Sequence, residues 1–341
     1  MMASGELGFA ERTSRRFVVG TLASEHLPWI SKPFMKPLVL VNASAGTAAA
    51  FAGEDLCARI ERAFAATGRP SDVHRITPRK LERALDQAAA EARPVIVGGG
   101  DGSVSAAVQR FAGTGIPLGV LPFGTYNLLA QDLGMSTDIE EAVRQLAAAE
   151  ERRIDLGQVA RRRFHTLGGL GYFSRVARQR AEVRKSISNK LVGAAVAALR
   201  SLSRGGNLDV TIDDGARRES FRTPAVLITN NLMAPDTWRR RRLDAGLFEI
   251  NIVRGDVPFP LLRGGLAAFM GSWRESTEIV TWTAPAFTLS FRRPRVFLSL
   301  DGEVTRPRTP LRFEITPRAL TVLAPAPEPE EAPEQPAAPL P

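Results

Sequence analysis

Three clusters of small and polar residues in this 341-residue chain have the composition of anion-binding loops. Gly98-Gly99-Gly100-Asp101-Gly102 follows the apolar run Val95-Ile96-Val97, where a buried strand is expected to end and a helix, Ser103 to Phe111, to begin. Glycines let a backbone approach phosphate oxygens closely, and the free N–H groups of a helix's first turn favour negative charge. Asp101 is the odd member among anions. It suits the loop if it binds Mg2+, directly or through water, or if it fixes the loop by hydrogen bonding. Leu121-Pro122-Phe123-Gly124-Thr125-Tyr126-Asn127 supplies a second glycine turn with a hydroxyl and an amide, and Asn42-Ala43-Ser44-Ala45-Gly46 supplies a third polar loop. Alone, the first cluster has a second reading, a tight strand-to-helix turn with an aspartate cap. Three such loops at strand ends on one sheet edge form a nucleotide crevice. Neither the GxxxxGK[ST] loop nor the spaced GxGxxG fingerprint occurs. Asp301-Gly302-Glu303, taken by itself, is a hairpin turn between Val296–Leu300 and Leu311–Ile315.

The elements that must position these loops alternate. Pro37 to Asn42 is a short apolar strand, followed by an alanine-rich helical segment to about Ala66. Val73–Thr77 forms a second strand, Pro78–Ala92 has helical spacing, Val95–Val97 is a buried strand, and Leu118–Leu121 repeats the pattern before a helix from Asn127 to Leu133. Strands and helices alternating at this spacing predict a parallel sheet with helices on its faces, an α/β nucleotide-binding domain over residues 35–153. After Arg153 the pattern changes to successive strands, at Phe164–Leu167, Leu208–Ile212, Ala225–Thr229, Leu247–Ile252, Glu278–Trp282, Phe287–Phe291, Val296–Leu300, Leu311–Ile315 and Leu320–Leu323. Helices are expected only near Phe173–Leu202 and Pro260–Ser272. Residues 154–325 therefore form a β-rich, sandwich-like second domain. Residues 1–34 read as a loose extension, and the Pro, Ala and Glu of residues 326–341 cannot bury enough apolar surface to fold.

Composition narrows the chemistry. The formal net charge of +9 suits anionic partners without selecting one. Only Arg239–Arg242 form a dense basic run and aromatics are few, which argues against nucleic acid. The single cysteine, Cys57, excludes an internal disulfide and a cysteine-built metal site, and His26, His74 and His165 have no helical pairing for zinc. No apolar run approaches the ~20 residues of a membrane-spanning helix. Arg15-Arg16 resembles a twin-arginine export signal, but the apolar stretch behind it is short and is soon interrupted by Glu25.

Taken together, the loops resemble the diacylglycerol kinase catalytic-domain family, which includes bacterial lipid kinases and sphingosine kinases. The family's GGDGT, PxGTxN and DGE elements correspond to Gly99–Ser103, Pro122–Asn127 and Asp301–Glu303, and its NPxSG-like opening to Asn42–Gly46. Ile154–Gly157 and Gly168–Gly171 look like its interdomain passage. The resemblance implies ATP and Mg2+ bound between the two domains and a lipid acceptor such as diacylglycerol. Asn42, Ser44, Gly46, Thr77, Gly99, Gly100, Asp101, Gly102, Ser103, Gly124, Thr125 and Asn127 would then hold the nucleotide. Glu303, or secondarily Asp301, would accept the proton of the lipid hydroxyl, with Asp101 and Asp244 as metal ligands. Such an enzyme belongs in the cytoplasm, associated peripherally with the inner membrane face. The amphipathic segment Val183–Leu202 and the arginines 239–242 are candidate membrane contacts, the bland alternatives being a sheet-covering helix and a solvated face. Three positions depart from the family pattern. Ser103 replaces threonine, Leu128 stands where many members carry aspartate, and Ala245 stands at an often acidic position. The competing expectations are a lipid-binding or regulatory protein with weakened catalysis, and an NAD kinase-like enzyme, for which no GSTAYS-like segment is found.

Overall fold

A computed structural model describes residues 36–46, 56–183, 206–234, 239–240, 242–254 and 279–326. The extension, the tail, most of the expected Phe173–Leu202 helix and the whole of the Pro260–Ser272 helix lie outside the described residues.

The first half alternates as its apolar spacing predicts. Its elements are Leu38–Asn42 (β1), Leu56–Ala66 (α1), Asp72–Ile76 (β2), Pro78–Ala90 (α2), Val95–Gly99 (β3), Asp101–Phe111 (α3), Leu118–Pro122 (β4), Leu128–Asp132 (α4) and Ile139–Ala147 (α5). Local chemistry starts the helices. Pro78 occupies the first turn of α2, where its missing N–H costs nothing. The Asp138 side chain accepts the Glu141 amide at 2.9 Å to cap α5. The strands run parallel in the order β2-β1-β3-β4. Asn42 lies opposite Ile76 and Gly99 opposite Pro122, so the carboxyl ends of all four strands reach one sheet edge. Val39, Val41, Ile96, Val97 and Val120 fill this core with Ile60, Leu85, Val108 and Phe111 from the helices.

The second half is antiparallel. It comprises Glu150–Val159 (β5), Arg162–Phe164 (β6), Leu167–Gly171 (β7), Tyr172–Val183 (α6), Leu208–Asp213 (β8), Arg218–Thr223 (β9), Ala225–Asn230 (β10), Phe248–Val253 (β11), Ile279–Ala284 (β12), Ala286–Phe291 (β13), Leu298–Leu300 (β14), Glu303–Thr305 (β15) and Leu311–Ala324 (β16). One sheet runs β12-β11-β10-β7-β14-β15. Facing it, β5, β6, β8, β9, β13 and the start of β16 continue the sheet of the first half. Between them lies a second core built on four phenylalanines: Phe164 stacks on Phe248 at 5.8 Å between centroids, and Phe287 on Phe313 at 4.7 Å.

Strand β16 joins the two cores. Leu311 and Phe313 pack in the second core, whereas Leu320, Val322 and Leu323 pack in the first, where Val322 pairs in parallel with Leu118 of β4. The two segments expected here as separate strands are therefore one strand with a bulge between Thr316 and Leu320. At the bulge Arg318 takes a left-handed φ of 48°, and its amide donates to Asp155 Oδ1 at 2.8 Å. The expected boundary at residue 154 falls within β5, whose Ile154 and Leu156 face the first core and Val159 the second.

Candidate active site

The glycine loop and the second loop touch backbone to backbone. A Cβ on Gly124 would sit 2.4 Å from the Gly100 Cα, so that position tolerates no side chain without separating the loops, and a Cβ on Gly100 would sit a tight 3.1 Å from the Gly124 Cα. The Phe123 amide donates to the Gly99 carbonyl at 3.1 Å, and Asn127 closes its own loop by accepting from the Gly124 amide at 2.7 Å and donating to the Gly124 carbonyl at 3.0 Å. Asn42 joins the third loop to the first, because its Nδ2 donates to Ser103 Oγ at 2.8 Å while its Oδ1 accepts the Ser44 amide at 3.0 Å. Ser103 is buried, whereas Gly102, Thr125, Ser44 and Thr77 are exposed. Thr77 caps α2 through its carbonyl, which accepts from Lys80 and Leu81. Gly46 is half-buried at the end of a described segment.

Asp101 fixes the loops. Its Oδ1 accepts the Leu128 amide at 2.8 Å and its Oδ2 the Asn127 amide at 3.2 Å, so the carboxylate caps α4 from the start of α3. The amides of Gly100, Asp101 and Gly102 have no acceptor among the described residues. With Gly102 facing open space, the amino end of α3 presents free N–H groups on the exposed rim of the sheet.

The Asp301-Gly302 turn sits between β14 and β15. Leu300 pairs with Glu303, and both turn residues have positive φ, 46° and 85°, the tight hairpin geometry that an Asp-Gly pair serves best. Asp301 is buried. It accepts the amides of His165, Thr166 and Leu167 at 2.9, 2.9 and 3.1 Å, and His165 Nδ1 lies 2.7 Å from its Oδ2. Burial opposes its ionisation, but the His165 ring and the surrounding amides outweigh that and hold the carboxyl below its ordinary range. Glu303, by contrast, is exposed, and its carboxylate meets Arg162 Nη2 at 2.5 Å. The two acids of this motif therefore have different surroundings: one is built into the scaffold and the other reaches solvent.

Asp244 is exposed beside Arg242, 3.4 Å away, while the Ala245 amide donates to Asn231 Oδ1 and the Gly246 amide to Asp155 Oδ2. Among the described residues no three acidic, histidine or cysteine side chains gather as a metal cage.

Within the arginine run Arg239 and Arg242 are exposed, as a solvated face requires, and Arg240 departs from it. Arg240 is buried and grips Asp132 of α4 with its Nε, Nη2 and backbone amide, while its Nη1 donates to the carbonyls of His165 and Asn230. Gln109 of α3 adds a second tie, donating to the Arg163 carbonyl at 2.6 Å and accepting the Arg163 amide at 3.3 Å. Arg162, Gln109, Asp132, His165 and Arg240 all escape a reading by motif. Only the unpaired histidine and the dense arginine run mark two of them as unusual in the sequence.

The family model for the diacylglycerol kinase catalytic domain matches residues 36–159. A curated relative, the diacylglycerol kinase of Mycobacterium tuberculosis, is 31% identical over 251 residues, covering 68% of this chain and 76% of the relative. A YegS-like lipid kinase of Pseudomonas savastanoi pv. phaseolicola is 28% identical over 264 residues, 71% of this chain and 79% of its own. In fold, a crystal structure of a diacylglycerol kinase from Bacillus anthracis aligns with a TM-score of 0.60 at 18% identity, over 86% of this chain and 97% of that one. The loops, their sheet edge and these likenesses agree, and the chain is a kinase that belongs to the diacylglycerol kinase family.

Proposed function

We propose that this kinase transfers the γ-phosphoryl group of ATP to the hydroxyl of diacylglycerol or a related lipid. The observation that carries the reading is the backbone contact of Gly100 with Gly124 beside the unpartnered amides of α3, which leaves a positively polarised rim with room for phosphate oxygens. The nucleotide lies along the loops of Asn42–Gly46, Gly99–Ser103 and Gly124–Asn127, with Thr77 at its margin. The Glu303 carboxylate takes the proton from the lipid hydroxyl as the acceptor oxygen bonds to the γ-phosphorus and the bond to the bridging oxygen of ADP breaks. Arg162 orients that carboxylate, and Asp301 serves as its scaffold because its own oxygens are already engaged.

The donor set fits a Mg2+ ion carried by nucleotide phosphates and water better than one held in a protein cage. Each Asp101 oxygen accepts one backbone amide and keeps a further lone pair, so this carboxylate can hold such an ion through water. Asp244 is the second candidate ligand. When bound, the ion neutralises charge developing on the phosphoryl oxygens.

No helix among the described residues is long and apolar enough to cross a membrane. We place the enzyme on the cytoplasmic face as a peripheral protein, since its acceptor hydroxyl lies at headgroup level. A weaker second reading, a lipid-binding regulator, is favoured by Leu128, which engages Asp101 with its backbone but brings no carboxylate.

The test is incubation with γ-labelled ATP, Mg2+ and a panel of lipid alcohols in mixed micelles. Label is expected in a diacylglycerol-class lipid, lost in Glu303→Ala. Lipid binding with no labelled product from any panel member supports the regulator instead.

A further inference from the structure

We propose that Asp132 and Arg240 are positioning residues: a buried strut through them fixes the glycine loop relative to Glu303. The proposal rests on the reading of Glu303 as proton acceptor.

Both side chains of the pair are nearly inaccessible, at 3% exposure for Asp132 and 1% for Arg240. Burying two charges is costly, and a buried ion pair is often no more stabilising than well-packed apolar groups of the same size. Stability is therefore a poor account of this pair. Its place in the molecule is a better one, because a continuous chain of hydrogen bonds from the phosphate loop to the Asp-Gly turn passes through it. Asp101 Oδ1 holds the Leu128 amide at 2.8 Å at one end of α4. Asp132, about 6 Å along the helix axis at the other end, accepts from Arg240 Nε at 3.0 Å and from the Arg240 amide at 2.8 Å. Arg240 Nη1 then donates to the His165 carbonyl at 2.5 Å and the Asn230 carbonyl at 2.7 Å. The His165 amide donates to Asp301 Oδ2 at 2.9 Å, with the ring Nδ1 2.7 Å from the same oxygen, and the Asp301-Gly302 turn delivers Glu303.

The planar guanidinium suits the task. It presents one fork to a carboxylate and its remaining nitrogen to two carbonyls, a fan of donors that an ammonium group cannot reproduce. One side chain thus grips elements from both cores at once. The Gln109–Arg163 tie is a second link between the two halves, from α3 to β6. A displacement of about 1 Å between reacting groups costs roughly a hundredfold in rate, which sets the scale of what the strut protects.

The experiment compares the full chain with Asp132→Asn, Arg240→Lys and their combination, using Glu140→Gln as a control that breaks the surface pair with Arg59. Backbone hydrogen exchange is read without nucleotide, and kcat and KM for ATP are read separately. Expected are faster exchange at Leu128 and at His165–Leu167 together in both single variants, and unchanged exchange there in the control. A fall in kcat of about ten- to a hundredfold should accompany it, with KM for ATP within about threefold of wild type. The double variant should be no worse than the weaker single, because both remove one shared interaction. Faster exchange confined to the residues around 240, or an unchanged kcat despite altered exchange at both ends, overturns the strut. A wild-type chain that phosphorylates no lipid sinks the Glu303 reading instead, and the exchange pattern still reports whether the two ends are mechanically joined.

Discussion

Gly124 and Gly102 are both glycines of the candidate site, yet the structure gives them opposite reasons. In Gly124→Ala the new methyl carbon would sit 2.4 Å from the Gly100 Cα and 2.6 Å from Asn127 Oδ1. Carbon atoms pack at about 3.5 Å, so the two loops must part by about 1 Å, and backbone cannot yield as a flexible side chain would. Overpacking of this kind costs about 1–3 kcal/mol, and each kcal/mol lowers Tm by about 2–4 °C in a domain of roughly 150–250 residues. The same displacement moves the Asn127 clamp and should lower kcat by about a hundredfold. A methyl added at Gly102 would meet nothing within 4 Å, and the residue lies in the first turn of α3. Gly102→Ala should therefore keep or raise Tm, by up to ~1 kcal/mol of helix propensity. If the proposed phosphate site lies there, its methyl crowds the phosphate and KM for ATP should rise. Thermal melts with steady-state kinetics on both variants decide the matter. A Gly124→Ala protein with wild-type Tm and kcat, or a Gly102→Ala protein that melts early, refutes this division of roles.

Three further outcomes are expected. Glu303→Gln should lower kcat by about a hundred- to ten-thousandfold while its Tm stays near wild type, since an exposed pair with Arg162 contributes at most about 1 kcal/mol; kinetics and a melt on one preparation check both. Asp301→Asn should lose about 1–3 kcal/mol near neutral pH, because one carbonyl oxygen replaces the two that accept the amides of His165, Thr166 and Leu167. The Asp301 carboxyl is depressed in the folded chain, so its stabilisation is present above the unfolded value of about 3.9 and fades as pH falls through the folded value; the variant's urea midpoint should therefore vary less with pH on the acid side. In Asp101→Asn only one of the Asn127 and Leu128 amides can keep an acceptor, and a loss of about 1–3 kcal/mol is expected in urea unfolding, with faster exchange at the orphaned amide.

The parts legible in the sequence are those governed by local pattern. Val95–Val97 and Leu118–Leu121 read as buried strands because four or fewer apolar residues ending in glycine or proline have few other uses in an α/β chain. The loops after them could be matched as motifs for the same reason. Contacts over long separations were not legible. Pro317-Arg318 looks like a turn between two strands, and only the Asp155 carboxylate, 163 residues away, reveals a bulge inside one strand. Likewise Arg240 sits in a run of four arginines that by composition belongs on the surface, and its burial depends on Asp132, 108 residues earlier. The alternating Arg218–Thr223 strand escapes because its half-exposed pattern carries little apolar signal. Within Asp301-Gly302-Glu303 the sequence offers two acids with Glu303 preferred, and the engagement of Asp301 by the amides of His165–Leu167 is visible only in the structure.

The most direct test of the central claim is transfer of the γ-phosphorus of ATP to lipid by the wild-type chain and by Glu303→Gln side by side. A labelled phospholipid that forms with diacylglycerol-class acceptors, requires Mg2+ and falls at least a hundredfold in the variant is the predicted result. Equal labelling by both proteins, or none by either across the acceptor panel, contradicts it.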